Sequence, residues 1–264
     1  MYHRFKWTRV SHRRNGLTAE YEPLQPYFLL ALIDHAGCRT FADVGSNIGS
    51  YAVLMSQAPS IDRILAFEAN PHAAAEIRRN FAMNQIAGEV REIAVTEKAG
   101  VIAFGTVSRF AGNNSIVATA TVERIRSISE VPANTLDNEL AGCPQPIALK
   151  IDVEGHEREV VAGASGVLAS ARCILQIENF GGDIGRLLPD DYRLVTRIGP
   201  DRYFTNIPEM DAIDLYEDAS AMMIDANHEL KSVSLKRGDF NVEITGRSYE
   251  LLKRVAIKVM GSRL

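Results

Sequence analysis

Along the first two thirds of the chain, short apolar runs alternate with stretches of helical period. "TFADVG" (Thr40 to Gly45) reads as a buried strand ending in glycine, and "SYAVLMSQA" as the helix after it. "RILAFEANP" is a second strand, closed by Asn70 and Pro71, with Pro71 placed to open the helix "HAAAEIRRNFAMN". "EVREIAVTEKAG" is a third strand with a turn, "PIALKIDVEG" a fourth, followed by one helix over "HEREVVAGASGVLAS", and "CILQIENF" a fifth. Strands separated by helices of this length predict βαβ units and a mostly parallel sheet with helices on both faces. Residues 101–140 break the rhythm and read as strands and a polar loop without a helix. After Gly181, "YRLVTRIG" and "RYFTNI" suit an antiparallel pair closing such a sheet.

Composition narrows the class. The chain has 264 residues, enough for one large α/β domain. We divide it into a helical lead-in over 1–37, a core over 38–210 and an extension over 211–264. The longest apolar run, "YFLLALI", is far short of the ~20 residues that span a bilayer, and no signal-type apolar core follows the basic amino terminus. Three cysteines, without C-x-x-C spacing, argue against a disulfide framework or a zinc site and fit a reducing cytoplasm. Residues 1–15 and 247–264 are basic, and the body between them is acidic, a poor platform for nucleic acid. "SYELLKRVAIKVM" near the carboxyl end reads as a basic amphipathic helix, docked on the domain or a partner rather than on a membrane surface.

The first strand ends in "DVGSNIG", at the sheet edge where open α/β folds bind ligands. Gly45 permits a sharp turn and close approach of a ligand, Gly49 permits close packing of the next helix, and Ser46 or Asn47 is expected to cap that helix. A dinucleotide fingerprint needs glycine at position 47, where this chain has Asn. Glu68, at the end of the second strand, is placed to take both hydroxyls of a ribose. An adenosine ligand without a pyrophosphate fingerprint points to S-adenosylmethionine, with Asp43 meeting its ammonium and Ala94 and Val95 beside the adenine.

The segments "FADVGSNIGSYAVLM", "AFEANP", "REIAVTEKAG", "TLDNEL" and "ALKIDVEGHEREVVAGA" occur in this order, and together the chain resembles the FkbM family of class I methyltransferases from about Glu22 to Phe180. The resemblance implies a Rossmann-like seven-stranded sheet and S-adenosylmethionine-dependent transfer of methyl to oxygen, often on a sugar. It implies a cofactor loop at Asp43, Gly45, Asn47 and Gly49, a ribose acid at Glu68, and Asp152 facing cofactor and acceptor. Glu154, Gly155 and His156 follow Asp152 into the helix, and Glu22 matches a recurrent acid of the family.

A sugar hydroxyl holds its proton nearly as tightly as water does, so transfer to it requires a base or a metal. Asp152, His156 and Glu154 are the candidate catalytic groups. Glu157, Arg158 and Glu159 read as a solvated helix face. Asp152, Glu178 and Asn179 form a conceivable Mg²⁺ set, but pocket lining without metal is the favoured expectation. The expected acceptor is a sugar or other small glycan-type molecule, and Phe110, Asn113, Asn114 and Tyr203 would suit a sugar pocket or equally an ordinary loop. The alternatives are a nucleic-acid or other N-methyltransferase and a non-catalytic partner in glycan assembly. "NPH" at Asn70 is superficially similar to an adenine-methylating motif, but that motif belongs after the fourth strand, where this chain has "DVEG".

Overall fold

The computed structural model describes residues 6, 22, 24–106, 115–116, 127–178, 182–208, 215–216, 218–222, 232–237 and 240–245. The four apolar runs at the centre of the sheet become strands because each can bury both faces. β1 (Thr40–Val44) and β8 (Ile147–Ile151) have no exposed position at all. Together with β2 (Arg63–Phe67), β3 (Glu89–Arg91), β9 (Cys173–Glu178), β10 (Arg193–Ile198) and β11 (Asp201–Thr205) they form a seven-stranded sheet of order β10-β11-β9-β8-β1-β2-β3. All neighbours from β3 to β9 are parallel, and β11 runs antiparallel to both β9 and β10. The expected closing pair is therefore present, with one reversed strand inserted before the edge.

Side chains alternate between two apolar layers. Ala42, Val44, Leu149 and Ile151 face one core together with Val160, Val161 and Leu168. Phe41, Ala148 and Ile174 face the other, which contains α1 (Gln25–Ala36), α2 (Ser50–Met55) and α3 (Pro71–Asn84). Alternation puts Asp43, Lys150 and Gln176 on this second face as well, at the end of the sheet where β1 and β8 finish. Pro71 opens α3 as expected. Asn70 caps it, its side chain accepting the His72 N–H at 3.0 Å. Asn70→Ala is expected to lower stability by about 1 kcal/mol, seen as a fall of about 3 °C in a thermal melt.

Three expectations need correction. The third-strand segment splits: β3 stops at Arg91, and Ala94–Val95 is a separate short strand, β4, in a second sheet of order β4-β7-β5-β6. The others in that sheet are β5 (Gly100–Thr106), β6 (Ser115–Ile116) and β7 (Ser127–Asn134). Ala94 thus joins Ala69, Phe104 and Val131 in a small core against the end of β2. Next, residues 101–140 do contain a helix, the single turn α4 (Leu136–Glu139), capped by Thr135. Last, the helix expected after β8 is two short ones, α5 (Glu157–Ala162) and α6 (Ser165–Ser170). They part at Gly163, where a Cβ would lie 2.1 Å from the Thr96 carbonyl oxygen. A hairpin, β12 (Ser232–Arg237) and β13 (Phe240–Thr245), follows in the extension. The expected basic helix lies outside the described residues, and so do Asn179, Phe110, Asn113 and Asn114. Among the described residues no helix is long and apolar enough to cross a membrane.

Candidate functional site

The glycine turn after β1 is held by main chain on both sides. Gly45 and Ser46 N–H donate to the Phe67 carbonyl of β2, and Asp152 N–H donates to the Val44 carbonyl. Gly45 has φ +76°, and a Cβ there would stand 1.8 Å from the Asp152 carbonyl oxygen. The close approach that requires glycine is therefore that of the chain leaving β8. Gly49 packs against Ile77, with a Cβ only 3.0 Å from its Cγ2. Neither Ser46 nor Asn47 caps α2. The capping position is Gly49, and the Ser46 hydroxyl donates to the Asp43 carbonyl at 2.6 Å. Asn47 takes a left-handed conformation, its N–H donating to Glu68 Oε2 at 2.8 Å, and Glu68 Oε1 accepts from Asn70 N–H at 2.8 Å. Glu68 thereby ties the ends of β1 and β2 together.

Asp43 is 1% exposed; its Oδ2 accepts the Ala52 N–H at 3.3 Å, whereas its Oδ1 has no hydrogen-bond partner. Burial pushes its carboxyl up to about 6, against the pull of Lys150. Lys150 is the residue that reading the sequence missed. It occupies the middle of the fully buried strand β8, where a cation requires carboxylate partners. Its ammonium donates to Asp152 at 2.9 Å, lies 4.0 Å from Asp43 Oδ1 and sits over the Tyr51 ring. Burial alone would lower the Lys150 pKa, but Asp152, Asp43 and Glu22 together raise it well above the ordinary lysine value.

A second chain of polar groups runs beneath this pair. Tyr51 donates to Glu22 at 2.6 Å, and the Gln176 amide donates to Tyr51 at 3.1 Å and to Asp201 at 2.8 Å. Burial raises Glu22, and it pushes Asp201 up to about 7. Burial opposes ionisation of Asp152, but the Lys150 ammonium beside it holds its carboxyl below the ordinary carboxylate range.

Beyond Asp152 the chain turns sharply. Glu154 is exposed and left-handed at φ +56°, followed by Gly155 at +98°. Glu157 closes the turn, with Oε1 accepting from Val153 N–H at 3.2 Å and Gly155 N–H at 3.0 Å. Partial desolvation, then the charges of Asp152 and Glu157, push the Glu154 carboxyl up to about 7.

A family model described as "Methyltransferase FkbM domain" matches residues 43–213, more than half of the chain. This chain belongs to the FkbM methyltransferase domain family. The hexuronic acid methyltransferase AglP of Haloferax volcanii is 30% identical over 154 residues, 56% of this chain and 60% of that protein, so the chain spans less than two thirds of that relative's length. Among solved structures, an FkbM methyltransferase from Methylobacillus flagellatus KT shares 15% identity at a TM-score of 0.46, over 64% of this chain and 44% of that one. An O-methyltransferase from Bacillus cereus in complex with SAH shares 14% at 0.44, over 74% and 86%.

Several expected site residues of the FkbM domain lie elsewhere than foreseen. His156, a candidate base, is neither at the Asp152 cluster nor solvated. It is 4% exposed, with Nε2 2.8 Å from the Thr96 hydroxyl and Nδ1 3.4 Å from Glu159. Burial lowers its pKa. Of the expected solvated face, Arg158 is exposed and Glu159 is partly so with one carboxylate oxygen buried, whereas Glu157 holds the turn. Tyr203 is fully buried and donates to the Gln25 carbonyl at 3.0 Å, so it belongs to the core rather than to a sugar pocket. Among the described residues no three His, Cys, Asp or Glu side chains converge on a cation position, and Asp152 is already paired with Lys150.

Proposed function

We propose that the protein is an S-adenosylmethionine-dependent methyltransferase acting on a hydroxyl of a sugar or glycan-type acceptor. The observation that carries this reading is the pair of buried acceptors in the glycine turn, Asp43 Oδ1 and Asn47 Oδ1, neither of which has a hydrogen-bond donor. An amino-acid ammonium would satisfy both, and Glu68 stands on the adjacent strand end, where a carboxylate suits ribose hydroxyls. Ala94, packed against Ala69, supplies an apolar wall beside Glu68. When bound, the cofactor would supply a methyl group on a sulfonium. The chain's own task is to hold an acceptor oxygen in line and accommodate its proton.

Asp152, ionised and partly open, suits the orientation of that hydroxyl. Glu154, exposed and poised near neutrality, is the better proton acceptor, because a group near 7 is unprotonated often enough to receive a proton yet basic enough to hold it. Lys150 balances Asp152 without a divalent ion, and undiminished turnover after exhaustive chelation is the expected result. The hexuronic acid relative supports an acceptor of sugar type.

The test is calorimetry with S-adenosylmethionine and its demethylated product, followed by transfer of labelled methyl to glycan fractions. Glu68→Gln is expected to weaken binding of both by about 10- to 100-fold, with a melt within a few degrees of the parent. Equal affinity in parent and variant would remove Glu68 from the cofactor site. No binding to the parent at millimolar concentration would end the reading itself.

A further inference from the structure

Three acids act on the Lys150 ammonium, and among the described residues it hydrogen-bonds to only one of them. It donates to Asp152 Oδ2 at 2.9 Å, while Asp43 Oδ1 lies 4.0 Å away, too far for a hydrogen bond. Asp43 acts on it more strongly than Glu22 does. Asp43 is fully buried, and the oxygen nearest Lys150 has no hydrogen-bond donor, whereas Oδ2 accepts from Ala52 N–H. A buried carboxylate oxygen this near a cation is ordinarily paired with it. A shift of about 1 Å would close the gap. Two contacts hold Lys150 back. One is the bond to Asp152, and the other is the Tyr51 ring, whose centroid lies 4.9 Å from the ammonium. That ring is fixed in turn, its hydroxyl donating to Glu22 at 2.6 Å and accepting from the Gln176 amide at 3.1 Å.

We propose that Asp152, by retaining Lys150, keeps Asp43 Oδ1 open to a ligand ammonium, and so acts as a positioning residue for the cofactor as well as facing the acceptor. This rests on the cofactor reading for the identity of the ligand, whereas the restraint on Lys150 belongs to the chain itself. Charge sets the direction. Asp43 and Asp152 together carry two negative charges against the one on Lys150, so this buried group is one cation short. An ammonium at Asp43 makes up the difference without drawing Lys150 from Asp152. Without the Asp152 charge the order reverses: Asp43 becomes the stronger remaining partner of Lys150, and that internal pairing competes with a ligand ammonium for the same oxygen. Asp152 thus contributes to cofactor affinity although it stands on the acceptor side of the turn.

The experiment is calorimetry on the full chain at pH 7.5 in the presence of a chelator, with two probes. One is the demethylated cofactor, and the other is its desamino analogue, in which hydrogen replaces the amino group. The parent should bind the first about 10- to 100-fold more tightly than the second. Asp152→Asn should weaken the first by about 10-fold or more and leave the second within about threefold of the parent. Asp152→Glu, which restores a carboxylate, should recover most of that loss. General damage to the fold would weaken both probes together. An Asp152→Asn variant that binds both probes as the parent does, or loses both equally, overturns the proposal. So does a parent that does not distinguish the probes, a comparison that stands even if Asp152→Asn does not fold. The cofactor reading fails separately, through a parent that binds neither probe at millimolar concentration. A crystal structure of Asp152→Asn then still decides the restraint: Lys150 Nζ within about 3 Å of Asp43 Oδ1 supports it, and a lysine left in its present place overturns it.

Discussion

Lys150→Met should cost the folded protein on the order of 3–5 kcal/mol, because it leaves buried acids without their cation. The methionine fits the volume and keeps contact with Tyr51, so the loss is electrostatic. Asp152 is depressed and Lys150 raised in the folded state. The stability from their pairing is therefore present between the ordinary carboxylate and lysine values, about pH 4 to 10, and is lost as pH falls through the depressed Asp152 value. Urea titrations at pH 7.5 should show the full deficit, and the gap from the parent should narrow as pH falls below about 4. A deficit below about 1 kcal/mol at pH 7.5, or one independent of pH, would mean that the acids are solvated or neutral without Lys150.

Gly45→Ala is the second large effect. The added methyl meets the Asp152 carbonyl at 1.8 Å, and the backbone at φ +76° disfavours any side chain. A backbone oxygen in register with a central strand cannot yield, so the expected loss exceeds about 4 kcal/mol, the range in which a domain of this size commonly fails to accumulate as soluble protein. Gly37→Ala is the control. It shares a positive φ of +61° but has nothing within 4 Å, and it should cost only about 1 kcal/mol. Soluble yield and thermal melts of the two variants, prepared side by side, separate strain of the torsion from collision. Equal behaviour would show that the strand ends can part.

The central strands were legible because each is an apolar run bounded by turn residues, and Asn70 with Pro71 announces its helix by local chemistry alone. The glycine turn and Glu68 were legible as positions, since both close predicted strands. Lys150 was overlooked because it stands next to the charges that follow β8, and its partners Asp43 and Glu22 come from segments more than a hundred residues earlier. Strand alternation contained the one clue: a lysine between Leu149 and Ile151 in a strand with no exposed position. The surroundings of His156 were hidden for a similar reason, since its partner Thr96 follows β4, 60 residues earlier in the chain. The break at Gly163 depends on the carbonyl of that same Thr96, and no helical period encodes a neighbour's backbone.

The contact between Gly45 and the Asp152 carbonyl has a mechanical consequence. The turn proposed to hold the cofactor and the turn bearing the acceptor-side acids are clamped through main-chain atoms of β1, β2 and β8. Neither can swing without the other, so no hinge separates donor from acceptor at this point. Opening and acceptor choice then fall to parts of the chain that do not share the clamp, and those parts can be exchanged while the alignment of the transfer stays as the three strand ends set it.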